Sequence, residues 1–266
     1  MIHRHGGNAR GPHGSFFDLR ARELVLLAAV TLLAACETPD APVPRSQPPG
    51  RPADGLLHDP DLQAVVELQV QRDGAGLARL LTHPRPRVRA RAAFALGSVQ
   101  DPSAVPSLVL ALDDPVAAVR SDGAFALGQM SDSALASSSS APALARALTR
   151  ETDPGSRRSM IEALGKVGGV LQIDRLAALE DPERDEDLAL ALSRSMLLGV
   201  TSGDALQRVV ALLRHPDAAV RQNAAWFFGR SGDAGFWYAS RRYVRTALWD
   251  YELDDPAAMH LLKALG

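Results

Sequence analysis

Val88-Arg89-Ala90-Arg91-Ala92-Ala93-Phe94-Ala95-Leu96-Gly97-Ser98-Val99-Gln100-Asp101-Pro102-Ser103-Ala104-Val105-Pro106-Ser107-Leu108 is the stretch on which the fold turns. Up to Leu96-Gly97 its apolar residues recur at helical spacing. Asp101-Pro102 interrupts the run, and a shorter amphipathic segment, 104–112, follows. This is one helix–turn–helix unit, and it is repeated. An apolar residue followed by glycine returns at Leu127-Gly128, Leu164-Gly165, Leu198-Gly199, Phe228-Gly229 and Leu265-Gly266. From Leu96 the successive spacings are 31, 37, 34, 30 and 37 residues. A period in that range marks a solenoid, in which a helix pair buries its apolar face only by stacking on its neighbours.

The positions within a unit have separate physical jobs. Asp59-Pro60, Asp114-Pro115, Asp153-Pro154, Asp181-Pro182 and Asp255-Pro256 each offer a carboxylate at the N-cap and a proline where the missing donor had no partner. His83-Pro84 and His215-Pro216 are looser versions, with a capping role for the imidazole. Ala92-Ala93, Ala124 and Ala224-Ala225 predict close approach of helices. The closing glycines are expected at the left-handed position past each helix end, where a Cβ is strained. Ser131 to Ser140 lengthens one turn and reads as an inserted surface loop.

The opening stretch resembles a HEAT repeat of the short bacterial type, a subtype also found in phycobilin lyases. Val119-Arg120 and Val220-Arg221 repeat its Val-Arg pair. The resemblance spans Asp59 to Gly266, strongest in the units starting at 83, 113 and 214. It is weakest over 180–213, where Asp185-Glu186-Asp187-Leu188 replaces the pair. It implies an all-α fold, an α-solenoid of about six HEAT-like helix pairs, with the last unit incomplete at Gly266. Composition agrees: 44 Ala and 38 Leu stand against 13 aromatic residues in 266, a balance that favours helix over strand.

Upstream of the array, Leu24 to Ala35 is an apolar run of 12 residues, about 18 Å as a helix and short of the ~30 Å bilayer core. It fits a secretory signal, with Arg20 and Arg22 as basic flank. Leu33-Ala34-Ala35-Cys36 then resembles the lipobox of bacterial lipoproteins, which implies lipidation at Cys36 and a signal peptide over 1–36. The sole cysteine also excludes a disulfide framework. Glu37, where an Asp would retain a lipoprotein in the inner membrane, implies the outer membrane facing the periplasm. Residues 37–58 carry six prolines and form a tether; the eighteen residues 37–54 reach about 55 Å.

Signatures of chemistry are lacking. The seven histidines have no paired-ligand spacing, and there is no GxSxG, P-loop or GxGxxG. The acidic run 180–187 coincides with a helix start and lacks the spacing of a calcium loop. No catalytic residue, metal ligand or cofactor site is expected, and the net charge of −2 argues against a nucleic-acid partner. The resemblance places the second helices on the concave face, and here they carry Arg79, Arg146, Arg150, Arg175, Arg208, Arg214, Arg241, Arg242 and Arg245. A basic groove for an acidic partner is one reading; arginine as the default surface cation of a GC-rich coding sequence is the other. Trp226, Phe227 and Phe228 read as core, whereas Trp237, Tyr238, Trp249 and Tyr251 exceed what a repeat needs and join Arg208, Arg241, Arg242 and Arg245 as candidate partner contacts. The expected function is a lipid-anchored scaffold for protein–protein interaction in the cell envelope. The alternative is the repeat region of a longer enzyme-bearing lipoprotein of the HEAT–cyclophilin type.

Overall fold

The computed structural model describes residues 59–130, 134–230, 245 and 255–265. Helices fill almost all of these, in five complete pairs: α1 (Pro60–Val70) with α2 (Gly74–Leu80), α3 (Pro86–Val99) with α4 (Val105–Ala111), α5 (Ala117–Gln129) with α6 (Ala134–Leu148), α7 (Pro154–Val167) with α8 (Val170–Ala177), and α9 (Asp185–Leu197) with α10 (Gly203–Leu212). Short 3₁₀ turns, Pro102–Ala104 and Pro182–Arg184, lead into α4 and α9. Two further helices follow, α11 (Ala218–Trp226) and α12 (Pro256–Leu265).

The first helix of each unit packs on the first helix of the next, from α1 on α3 through to α11 on α12. The second helices form their own series, α4 on α6, α6 on α8 and α8 on α10. Two parallel layers of antiparallel pairs make an α-solenoid. Its core runs between the layers: Leu96, Leu127, Leu164 and Phe228 are each at most 1% exposed. Burying each stabilises by about 1.5–3 kcal/mol, so the repeated apolar marker contributes to cohesion in every unit where it is buried.

The glycines of that marker act differently from the sequence expectation. Gly97, Gly128 and Gly165 lie inside α3, α5 and α7, not past their ends. A Cβ on Gly97 would meet the Phe125 ring at 2.8 Å, one on Gly128 the Ala163 Cα at 2.9 Å, and one on Gly165 the Ala191 Cα at 2.7 Å. One on Gly229 would meet the His260 carbonyl at 2.9 Å. Each glycine therefore lets consecutive first helices approach backbone to backbone. The left-handed C-cap of α3 is Gln100, φ 58°, whose amide also donates to the Gln129 carbonyl at 2.9 Å and ties two units together.

Leu198-Gly199 departs from the others. Gly199 does take a left-handed φ of 83°, but Leu198 is 59% exposed. The position equivalent to Leu96 is Met196, buried eight residues after Leu188 as Leu96 is eight after Val88. The helix caps divide as well. Asp59 accepts from the Asp61 and Leu62 N–H groups, Asp153 from Ser156 N, and Asp255 from Ala257 N, as expected. Asp114 instead lies two residues before Val116, the N-cap of α5, and Asp181 opens a 3₁₀ turn without a side-chain cap bond. Both carboxylates are engaged by an arginine of the preceding unit. Finally, residues 134–140 are helical and extend α6 at its start, where a loop was expected from Ser131 to Ser140. Ala134, Leu135 and Ala136 favour helix enough to carry the serines with them.

Candidate functional site

The arginine of the Val-Arg pair builds a ladder along the solenoid. Arg89, on the first turn of α3, donates through Nη1 to the His83 carbonyl of its own turn at 2.9 Å. Its Nε and Nη2 bind Asp114 of the next unit at 2.7 and 3.0 Å. Arg120 repeats the geometry with the Asp114 carbonyl and Glu151, and Arg157 with the Glu151 carbonyl and Asp181. Arg221 does the same with the His215 carbonyl and Asp255. A planar guanidinium with five donors suits this double duty, since one edge closes the turn and the other takes the carboxylate in a fork. Glu151 is held down to about 2, chiefly by the Arg120 hydrogen bonds, against the opposing effect of burial. Burial pushes Asp114 upward, but the hydrogen bonds from Arg89 and the Val116 N–H outweigh it and leave the carboxyl below its ordinary value.

Units one and five lack that arginine; Gln63 and Ala189 stand in its place. The charges there are reversed. Asp61 at the start of α1 faces His83 Nε2 at 3.6 Å, and Asp59 and Asp61 bind Arg85. Asp185 at the start of α9 binds Arg208 at 2.9 Å and faces His215 Nε2 at 3.5 Å. The other nitrogen of each imidazole caps the turn, His83 Nδ1 accepting from Arg85 N at 3.2 Å and His215 Nδ1 from Asp217 N at 3.1 Å. Where the first helix offers a cation, the following turn offers an acid, and where it offers an acid, the turn offers histidine.

The ladder leaves a distinct set of cations on the second-helix layer. Arg79 on α2, Arg146 on α6 and Arg175 on α8 are exposed and form no ion pair with a described residue. Leu110 on α4, between the first two, is 74% exposed. On the first-helix layer two cations lie against aromatic rings, Arg91 beside Phe94 and Lys166 near Phe125, with Phe94 and Phe125 stacked at 5.3 Å. Among the described residues no group of three His, Cys, Asp or Glu side chains is placed to hold a metal ion, and no helix is long and apolar enough to cross a membrane.

Residues 75–137 match the family of HEAT repeats. The archaeal HEAT-like repeats protein from Thermococcus onnurineus NA1 has a similar structure, with a TM-score of 0.52, 15% identity, and 80% of this chain and 96% of that one covered. The fold is a HEAT-like α-solenoid. Two engineered proteins, each 20% identical over 73% of this chain, give TM-scores of 0.51 and 0.50 with 95% and 97% of their own lengths covered. No curated protein matches the sequence.

Within the HEAT-like array the sequence candidates fall in different settings. Arg208 is half-buried and engaged by Asp185, so part of its charge serves the break in the ladder. Arg150 pairs with Asp113, and Arg245 is exposed. Phe227 and Phe228 are core at 3% and 1% exposure, and Arg230 stacks near Trp226 at 5.6 Å. Cys36, Trp237, Tyr238, Arg241, Arg242, Trp249 and Tyr251 lie outside the described residues. Sequence reasoning overlooked the ladder acids Asp114 and Glu151, although each stands six residues before the arginine of the next first helix, at 120 and 157.

Proposed function

We propose that this protein is a binding scaffold of the bacterial envelope, held to a membrane by lipid on Cys36 and offering its second-helix layer to a protein partner. The observation that carries the reading is the division of arginines. Arg89, Arg120, Arg157 and Arg221 on four first helices are fixed by the ladder, while Arg79, Arg146 and Arg175 on three second helices stay exposed and without an ion pair to a described residue. Charges left in this way raise encounter rates with acidic surfaces and choose among partners more than they add affinity. Leu33-Ala34-Ala35-Cys36 supports the anchor, Glu37 supports the outer membrane facing the periplasm, and the proline-rich 37–58 gives the array its reach. Arg241, Arg242, Arg245 and the aromatic residues Trp237, Tyr238, Trp249 and Tyr251 extend the proposed contact region toward the C-terminal units.

Two measurements test it. Cys36→Ser is expected to abolish palmitate labelling and to move the protein out of the membrane fraction; unchanged membrane retention sinks the anchor. Replacing Arg79, Arg146 and Arg175 together by Glu is expected to weaken capture of a crosslinked envelope partner, more strongly at low salt, with the melting temperature unchanged. Undiminished capture sinks the scaffold surface.

A further inference from the structure

Between second helices α6 and α8 and first helix α7 lies a cavity of about 180 Å³. Its floor is apolar core: Leu148, Leu164 and Leu176 are 7%, 1% and 2% exposed. The rim is polar, with Gln172 half-buried and Thr149 and Arg175 exposed. Arg157 also lines the cavity, but the ladder commits its donors to Asp181 and to the carbonyls of Leu148 and Glu151. Arg175 has no such commitment to a described residue. Arg146, on the adjoining helix α6, is exposed in the same way. Asp174, the acidic chain neighbour of Arg175, does not line the cavity.

Size and charge together name an occupant. An apolar cavity of ~150 Å³ takes a benzene-sized guest. At about 180 Å³ this one holds a single leucine or phenylalanine side chain. A cation at its mouth without an ion pair to a described residue, with a second on the neighbouring helix, calls for carboxylates on either side of that anchor. We infer that the cavity is an anchor pocket for an acidic peptide segment, whose leucine or phenylalanine inserts over Leu164 and Leu176 while a flanking carboxylate pairs with Arg175. The inference rests on the reading of the second-helix layer as the partner surface and specifies where on that layer the partner is gripped.

The test uses the full chain in detergent and fluorescein-labelled peptides at low salt. Anisotropy titration with Glu-Glu-Leu-Phe-Glu-Glu is expected to show binding, and Lys-Lys-Leu-Phe-Lys-Lys and Glu-Glu-Ser-Ser-Glu-Glu are expected to show none. Arg175→Glu, an exposed change, is expected to weaken the acidic peptide by about tenfold or more through repulsion in place of attraction. Gln172→Trp, which plugs the rim, is expected to abolish binding. Methyl resonances of Leu164 and Leu176 are expected to shift on adding the peptide, a readout that needs no variant. Absence of binding by the acidic peptide, equal binding by either control, full affinity in either variant, or unshifted leucine methyls overturns the inference. Capture of an envelope partner that is equal in wild type and both variants also overturns it, while leaving the scaffold reading in place.

Discussion

Glu151→Gln removes one charge from the middle of the ladder and changes almost nothing in shape. Glu151 accepts from Arg120 Nε and Nη2 at 2.7 and 2.8 Å, from Ser156 Oγ at 2.7 Å, and from the Thr152 and Asp153 N–H groups, both at 2.9 Å. Its side chain is only 2% exposed. Glutamine keeps one acceptor oxygen, but its NH₂ occupies the place of the other and leaves an Arg120 donor facing a donor. The carboxyl is held at about 2 against an ordinary value of 4.5. At about 1.4 kcal/mol per unit that difference corresponds to about 3 kcal/mol of stability from the ionised form. Removing one partner of a buried pair costs a similar amount, about 3–5 kcal/mol.

The sign follows from the lowered value. The contribution is complete above about pH 4.5, the unfolded value, and is lost as pH falls through about 2. Urea unfolding at pH 7 is therefore expected to show Glu151→Gln about 3 kcal/mol less stable than wild type. The gap is expected to narrow steadily below pH 4.5 and to close near pH 2. Repeat arrays do not always unfold in one step, so amide exchange in α5 and α7 supplies a local readout of the same loss. A difference under about 0.5 kcal/mol at pH 7, within the range of ordinary surface changes, refutes the argument. A full difference that persists at pH 2 refutes it equally.

Gly165→Ala is expected to destabilise by about 1–3 kcal/mol in thermal or urea unfolding, because its Cβ would sit 2.7 Å from the Ala191 backbone. Gly203→Ala at the start of α10 meets nothing within 4 Å and is expected to stabilise by about 0.4–1 kcal/mol. Gly199→Ala also meets nothing, yet its φ of 83° predicts a loss of about 1 kcal/mol from backbone strain alone. Arg208→Ala leaves Asp185, 7% exposed overall, facing only the His215 imidazole at 3.5 Å among the ion-pair partners, and a loss of about 2 kcal/mol is expected in the same assay. Unchanged stability would return Arg208 to the set of free surface cations.

Much of the array was legible because its cause is periodic. Leu96, Leu127, Leu164 and Phe228 mark the buried layer through spacing alone, and Asp59, Asp153 and Asp255 announce helix starts through short-range hydrogen-bond chemistry. The failures came where a residue answers to a distant neighbour. Asp114 and Asp181 look like Asp59, but the first stands two residues before the N-cap Val116, the second opens a 3₁₀ turn, and each accepts from an arginine 25 or 24 residues earlier. Gly97 looks like a helix terminator until Phe125 and Ala126 of the next unit are packed over it. Leu198-Gly199 matches the marker in letters and misses it in phase, since Met196 occupies the buried position.

The sequence by itself determined the helical class and the repeating pair, since each depends on residues near one another in the chain. Only the tertiary structure decided which arginines are held by an acid of the next unit. Arg89, Arg120, Arg157 and Arg221 are bound because stacking brings an acid 24 to 34 residues away within hydrogen-bond reach. Arg175 stays exposed because stacking sets it at the rim of a leucine-lined cavity instead. A guanidinium reads the same in any sequence; what it can bind is fixed by the carboxylates that packing places around it.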